Sequence, residues 1–200
     1  MVDKFQVMNG LAPSQMTAAG RLFWSAFAGK LGFVMGPEDR ALRFLNGVVE
    51  SEFAISALSS DGRLIGVAGF KTADGAFVGG ELSDLQAVYG FWGGLWRGVL
   101  LSVLERPLED DVLLMDGIFV DEGARGQGVG SALLAAIKAK AIELGCREVR
   151  LDVIDSNPRA RALYERQGFE ARGTSSTGVF RHVFGFRCAM TMVWSAAPSR

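Results

Sequence analysis

The chain has 200 residues, of which 49% are hydrophobic and 22% charged, with a net charge of −1. This composition is too apolar for intrinsic disorder. The near-neutral charge argues against a general nucleic-acid binder, which needs a basic surface to neutralise phosphates, but leaves room for a local basic pocket. Two distant cysteines, Cys146 and Cys188, predict neither a disulfide framework nor a metal site and favour a reducing cytoplasm. Without a visible leader or linker, we expect one domain over 1–200.

The first third of the chain predicts two helices followed by a hairpin. Ser14 is a candidate N-cap, and Gly32 and Gly36 are expected to end the helix that follows it. Pro37 suits the first position of the next helix, which Asn46-Gly47 should end. The predicted elements are a strand over 4–8, helices over 14–30 and 37–47, and hairpin strands over 52–58 and 64–70.

A long apolar segment follows, from 85 to 104, with a single charge at Arg97. Its length suits a membrane span, but the central arginine and four glycines argue against one. We expect instead one helix over 84–105, begun by a capping box of Ser83 and Gln86. Such a helix would pack in the core, form a homodimer contact or wall a ligand pocket.

The second half of the chain alternates strands and helices, which predicts a mixed α/β domain. A glycine-rich turn over 125–131, reading RGQGVGS, joins a strand to a helix. Positive-φ glycines, outward N–H groups and a helix N-terminus together predict a diphosphate cradle. The turn lacks the lysine of a P-loop and the spacing of a dinucleotide fingerprint. The predicted elements are strands over 111–120, 148–154, 169–174 and 184–194, and helices over 128–144 and 157–168.

Two motifs in this order resemble the GNAT superfamily of N-acetyltransferases. The first is R-x-x-G-x-G, carried by Arg125, Gly128 and Gly130, and the second is N-x-x-A-x-x-L-Y-x-x-x-G-F, which 157–169 match as NPRARALYERQGF. The similarity covers 113–170. It implies an α/β fold with a mixed, mostly antiparallel twisted sheet, whose central parallel strands splay apart and are flanked by helices. It also implies direct transfer of an acetyl group from acetyl-CoA to a primary amine in a ternary complex, without an acyl-enzyme or a metal.

The resemblance also assigns candidate site residues. Tyr164 matches the acid that protonates the departing thiolate, and a phenol is protonated at neutral pH. Asp116 is the candidate base or amine-binding group, on the face of Ile118 and Val120 if the strand is regular. The residues expected to bind acetyl-CoA are Ile118, Phe119, Val120, Arg125, Gly126, Gln127, Gly128, Val129, Gly130, Ser131, Asn157 and Tyr164.

Each of these residues also has a purely structural interpretation. Asn157 is a good N-cap before Pro158, Tyr164 suits a core position, and Asp116 can be an ordinary strand carboxylate. Weaker acceptor-side candidates are Glu50, Glu52 and Glu81, while His182 and Cys188 are not favoured for catalysis. The alternative function is a non-catalytic acyl-CoA-binding or protein-interaction module with the same fold. Neither nucleic acid nor a membrane is expected as a partner.

Overall fold

A computed structural model describes residues 4–102, 109, 111–176, 178 and 185–196, without the side chain of Lys30. The described strands are Phe5–Asn9 (β1), Ala54–Ser59 (β2), Leu64–Thr72 (β3), Gly75–Ala76 (β4), Val112–Val120 (β5), Glu148–Ile154 (β6), Glu170–Ser176 (β7) and Cys188–Ser195 (β8). The described helices are Met16–Met35 (α1), Glu38–Val48 (α2), Leu82–Tyr89 (α3), Phe91–Ser102 (α4), Val129–Glu143 (α5) and Pro158–Arg166 (α6).

The strands form one sheet in the order β1-β2-β3-β5-β6-β8-β7, with β4 paired to β3. Its pairs are antiparallel except β5 with β6. These two parallel strands pair only where Val112–Leu114 meet Glu148–Arg150, and beyond that point they separate. The mixed, mostly antiparallel sheet with splayed central strands is confirmed.

Helices cover the sheet on two faces, each with its own hydrophobic cluster. On the first face, α1 to α4 pack around Phe23, Phe77 and Phe119. On the second face, α5 and α6 cover a cluster that includes Leu133 and Tyr164. The gap between β5 and β6 therefore lies between two packed layers, with different side chains on its two sides.

The predicted helix over 84–105 is wrong as a single element. Gly90, with a φ of 76°, separates α3 from α4. The carboxylate of Asp84 accepts the N–H of Glu81 at 2.8 Å, so the expected capping pair of Ser83 and Gln86 is also wrong. Within the described residues, no helix has the length and hydropathy needed to cross a membrane.

Side chains of α3 and α4 bind the last carbonyls of α1. The Nε of Arg97 donates to the carbonyl of Val34 at 2.7 Å, and the hydroxyl of Tyr89 donates to the carbonyl of Met35. These side chains satisfy carbonyls that the last turn of a helix leaves without partners. Accordingly α1 continues through Gly32, where the sequence predicted a break. Helix α2 likewise passes Asn46-Gly47 to Val48.

Candidate active site

A β-bulge in β5 stands where this strand leaves β6. Gly69 of β3 pairs with Gly117 and Phe70 pairs with Met115, so Asp116 is the extra residue. The bulge turns Asp116 and Gly117 toward the same face, and a Cβ on Gly117 would lie 2.7 Å from Cζ of Phe27 in α1. Asp116 thus faces α1, opposite to Ile118 in the α5 cluster. The strand is therefore not regular, and the shared face with Ile118 and Val120 that a regular strand would give is absent at Asp116.

The Asp116 carboxyl group lies in a mostly apolar setting. Its Oδ2 is buried and has no hydrogen-bond partner among the described residues. Burial raises the pKa of Asp116 to about 6, while the charge of Lys71 and the backbone of Val78 and Phe77 act in the opposite direction. A carboxyl group with such a pKa accepts and releases a proton near neutral pH.

The backbone of β5 offers polar groups to the gap. The N–H of Asp121 donates to the carbonyl of Ile65 in β3 at 2.9 Å. Because the backbone N–H and C=O groups of successive strand residues point to opposite sides, those of Val120 and Ile118 point away from β3, toward the gap. The Val120 carbonyl already accepts Nε of Arg125 at 3.3 Å. Phe119 lies opposite Val67 of β3, and its ring is buried in the core. An extended ligand chain could therefore pair with Ile118 and Val120, as in strand addition.

The glycine turn has the backbone that the sequence predicted. Gly126 and Gly128 have φ values of 76° and 88°, and added Cβ atoms at these positions would meet no atom within 4 Å. The N–H of Ala132 donates to the carbonyl of Gly128 at 3.0 Å and starts the ladder of α5. The N–H groups of the first turn of α5, before Ala132, have no partner within the helix. Such groups at a helix N-terminus can bind an anion.

Side chains of the turn fold onto the protein and leave its backbone exposed. The Nε2 of Gln127 donates to the carbonyl of Gly123 at 2.8 Å, and Arg125 lies 3.5 Å from the Glu122 carboxylate. Arg125 remains exposed, so its guanidinium is accessible to a bound phosphate. Ser131 is half-buried in the first turn of α5.

Close packing fixes α5 at the open end of the gap. A Cβ on Gly66 of β3 would lie 3.0 Å from Cγ1 of Val129, which is itself buried. On Gly130 it would lie 3.2 Å from Cδ2 of Leu163 in α6. These two glycines let α5 approach β3 and α6 closely. The helix N-terminus is thereby held beside the splayed strands.

Tyr164 of α6 lies on the second face, across the sheet from Asp116. The side chain is buried, and its ring centroid is 5.9 Å from that of Phe169. Burial raises the pKa of Tyr164 to about 12, so its hydroxyl stays protonated at neutral pH. Asn157 caps α6, since its Oδ1 accepts the N–H of Ala160 at 3.2 Å. The structural interpretation of Asn157 is thus confirmed, and its contact with acetyl-CoA stays a prediction.

The remaining candidates are scattered. Glu52 lines an open pocket beside β1, whereas Glu50 and Glu81 flank the loop after β4, near Val78. The thiol of Cys188 lies 3.6 Å from an Asp155 carboxylate oxygen, and His182 lies outside the described residues. In the described part of the chain, no three His, Cys, Asp or Glu side chains are grouped to hold a metal ion.

Sequence reasoning overlooked Lys71 and Val78, which border Asp116. Lys71 is the one charged residue of β3, and this isolated charge was a usable signal. For Val78 the sequence carried no signal, because its proximity to Asp116 depends on the long-range pairing of β3 with β5.

The model of the Acetyltransferase (GNAT) family matches residues 21–169, and the chain belongs to this family.

Among curated proteins, the thialysine N-epsilon-acetyltransferase of Bos taurus is 38% identical over 56 residues, which are 28% of this chain and 33% of the relative. The match thus spans a third of that relative's length. A crystal structure of an acetyltransferase aligns with a TM-score of 0.64 and 19% identity, over 96% of this chain and all of the other. The GCN5-related N-acetyltransferase from Kribbella flavida aligns with a TM-score of 0.62 and 16% identity, over 98% and 100%. At these identities the solved structures show the fold.

Proposed function

We propose that this protein transfers an acetyl group from acetyl-CoA directly to a primary amine. The observation that carries the proposal is the position of Tyr164 and Asp116 on opposite faces of the sheet, in which β5 and β6 separate and leave a gap. A thioester in this gap would have a proton donor on one side and a proton acceptor on the other. Membership of the acetyltransferase family supports the same reaction.

The proposed roles balance the protons of the reaction. Asp116 accepts a proton from the substrate ammonium, and the amine nitrogen then bonds to the thioester carbonyl carbon. The N–H groups of Ile118 and Val120 lie toward the gap, where a backbone donor stabilises the oxyanion. When the C–S bond breaks, Tyr164 donates its hydroxyl proton to sulfur, and the second proton lost from nitrogen restores the phenol.

The turn over 125–131 would hold the coenzyme diphosphate through the N–H groups of Gly126, Gln127, Gly128, Val129, Gly130 and Ser131, with Arg125 adding a charged contact. The test is release of free thiol from acetyl-CoA in the presence of a panel of primary amines. Calorimetric titration of the protein with CoA is run in parallel. Absence of both binding and thiol release would overturn the proposal.

The proposal includes a homodimer formed through α4, supported by the exposed rings of Phe91 and Trp92. Trp92 is 76% exposed, which is unusual for a large aromatic side chain. Sedimentation of the wild type and of Trp92→Ser at several concentrations tests this contact. Free Cys146 and Cys188 thiols support the proposed location in a reducing cytoplasm.

A further inference from the structure

An open pocket of about 770 Å³ lies between α2, the loop after β4 and the α3–α4 pair. Among its described lining residues, Glu81 is the one candidate site residue that the sequence suggested. The pocket lining is predominantly apolar. The lining includes Phe44, Val78, Leu82, Leu85, Leu95 and Val99.

Two glycines let the loop after β4 pack closely against α2 and Glu50. A Cβ on Gly80 would lie 2.6 Å from Cζ of Phe44, and on Gly79 it would lie 2.5 Å from Oε1 of Glu50. The loop therefore lies flat against α2 and Glu50, with no side chain of its own at these two positions. Larger residues there would displace the wall of the pocket.

The pocket continues toward the core. A smaller cavity of about 80 Å³ shares Phe44, Val78 and Leu101 with it and is lined by apolar side chains of α1, α2 and α4. Val78 also borders the candidate base, because its backbone contributes to the pKa of Asp116. Val78 therefore both lines the apolar pocket and lies beside the proposed reaction centre.

Charge selects the kind of molecule that fits. Of the described residues that line the larger pocket, Glu81 is the one that ionises, and none is cationic. Glu50 adds a second carboxylate at Gly79. An apolar volume bordered by carboxylates complements a molecule with an apolar body and one positive charge.

We propose that this pocket holds the apolar body of the acceptor, which makes the acceptor a hydrophobic primary amine. The inference rests on the proposed acetyl transfer and specifies its substrate class. The ammonium group lies at the end of the pocket bordered by Glu50 and Val78, beside Asp116. The hydrocarbon part lies against Leu85 and Val99. A short polar amine would leave the apolar lining unused and bind weakly.

Calorimetry with n-butylamine, n-hexylamine and n-octylamine tests this on the full chain, without acetyl-CoA. Each buried methylene should tighten Kd about fourfold until the pocket is filled. The alcohol n-octanol should bind at least tenfold more weakly than n-octylamine, because it lacks the charge. A Kd that does not change with chain length would overturn the inference.

Two matched substitutions locate the binding site. Val99 and Ile142 are both β-branched, helical and about equally exposed, at 62% and 60%, but Ile142 lies on α5, away from the pocket. Val99→Lys should weaken n-octylamine binding at least tenfold, whereas Ile142→Lys should leave it unchanged. Equal effects of both variants would place the amine elsewhere and refute the pocket.

Turnover separates this inference from the proposed function. With acetyl-CoA, kcat/KM for thiol release should rise along the same amine series and fall in Val99→Lys. If thiol release is as fast with a short polar amine as with the alkylamines, and does not increase from n-butylamine to n-octylamine, the hydrophobic acceptor is refuted. The proposed acetyl transfer would remain valid in that case. Acetyl-CoA that neither binds nor releases thiol with any amine would instead refute the proposed function.

Discussion

Lys71 of β3 lies on the same face of the sheet as Asp116 of β5. Val67 packs in the first cluster, and Gly69 and Lys71 follow it at two-residue spacing on that face. The bulge brings Asp116 to the same side. The positive charge of Lys71 therefore opposes the effect of burial on the pKa of Asp116, which still reaches about 6.

The first prediction concerns the pH dependence of activity. If Asp116 accepts the amine proton, kcat/KM should rise with pH through about 6 as the carboxyl group ionises. Lys71→Met removes the opposing charge, so the midpoint should move to higher pH. A pH profile of thiol release measures both. An unchanged midpoint in Lys71→Met would contradict the assignment of this limb to Asp116.

The second prediction concerns stability. The pKa of Asp116 is higher in the folded state than in the unfolded state, so ionisation of this buried group destabilises the fold. The free energy of unfolding is therefore fully retained below pH 4 and falls as pH rises through about 6. A shift from 3.8 to about 6 corresponds to roughly 3 kcal/mol as an upper bound. Asp116→Asn should therefore increase the free energy of unfolding at pH 8 but not at pH 4. Urea titrations at both pH values decide this, and equal effects at the two would exclude a burial cost.

The third prediction separates binding from folding at the glycine turn. Gly128 and Gly62 both have a positive φ and open space around a Cβ. Alanine at either position should cost about 1–2 kcal/mol of stability, because left-handed backbone is unfavourable for a residue with a Cβ. Gly128→Ala should also weaken CoA binding about tenfold, because Gly128 lies in the turn proposed to hold the diphosphate. Gly62→Ala should leave CoA binding unchanged, because Gly62 lies in the β2–β3 turn. Calorimetry on both variants is the measurement, and a matching loss in Gly62→Ala would indicate a general folding defect.

Local signals predicted most of the fold. The turn over 125–131 and the sequence Asn157-Pro158 determine conformation within a few residues, so the starts of α5 and α6 followed from them. The apolar segment over 85–104 was wrongly predicted as one helix, because a glycine such as Gly90 can lie within a helix as well as end it. The break at Gly90 became evident only from the close contact of α4 with α3, where a Cβ on Gly94 would lie 2.6 Å from the Gln86 nitrogen.

The orientation of Asp116 was beyond sequence reasoning. Alternation along a strand is a local rule, whereas the bulge depends on how β5 pairs with Gly69 and Phe70 of β3. Tyr164 was different, because its motif and the helix start at Asn157 lie in one short segment. Chemistry carried by a single element was therefore predictable, and chemistry that depends on pairing between distant strands was not.

The last prediction concerns the proton donor and uses two buried tyrosines. Tyr164→Phe should lower kcat about a hundredfold, since it removes the group that protonates the leaving thiolate, and CoA binding should persist. With a pKa near 12, Tyr164 should produce no loss of activity at alkaline pH below about 10. Tyr89→Phe is the matched control, because it leaves the Met35 carbonyl without its hydroxyl partner. This control should cost about 1–3 kcal/mol of stability and spare kcat. Steady-state kinetics and thermal unfolding of both variants distinguish the roles, and undiminished kcat in Tyr164→Phe would assign Tyr164 to packing.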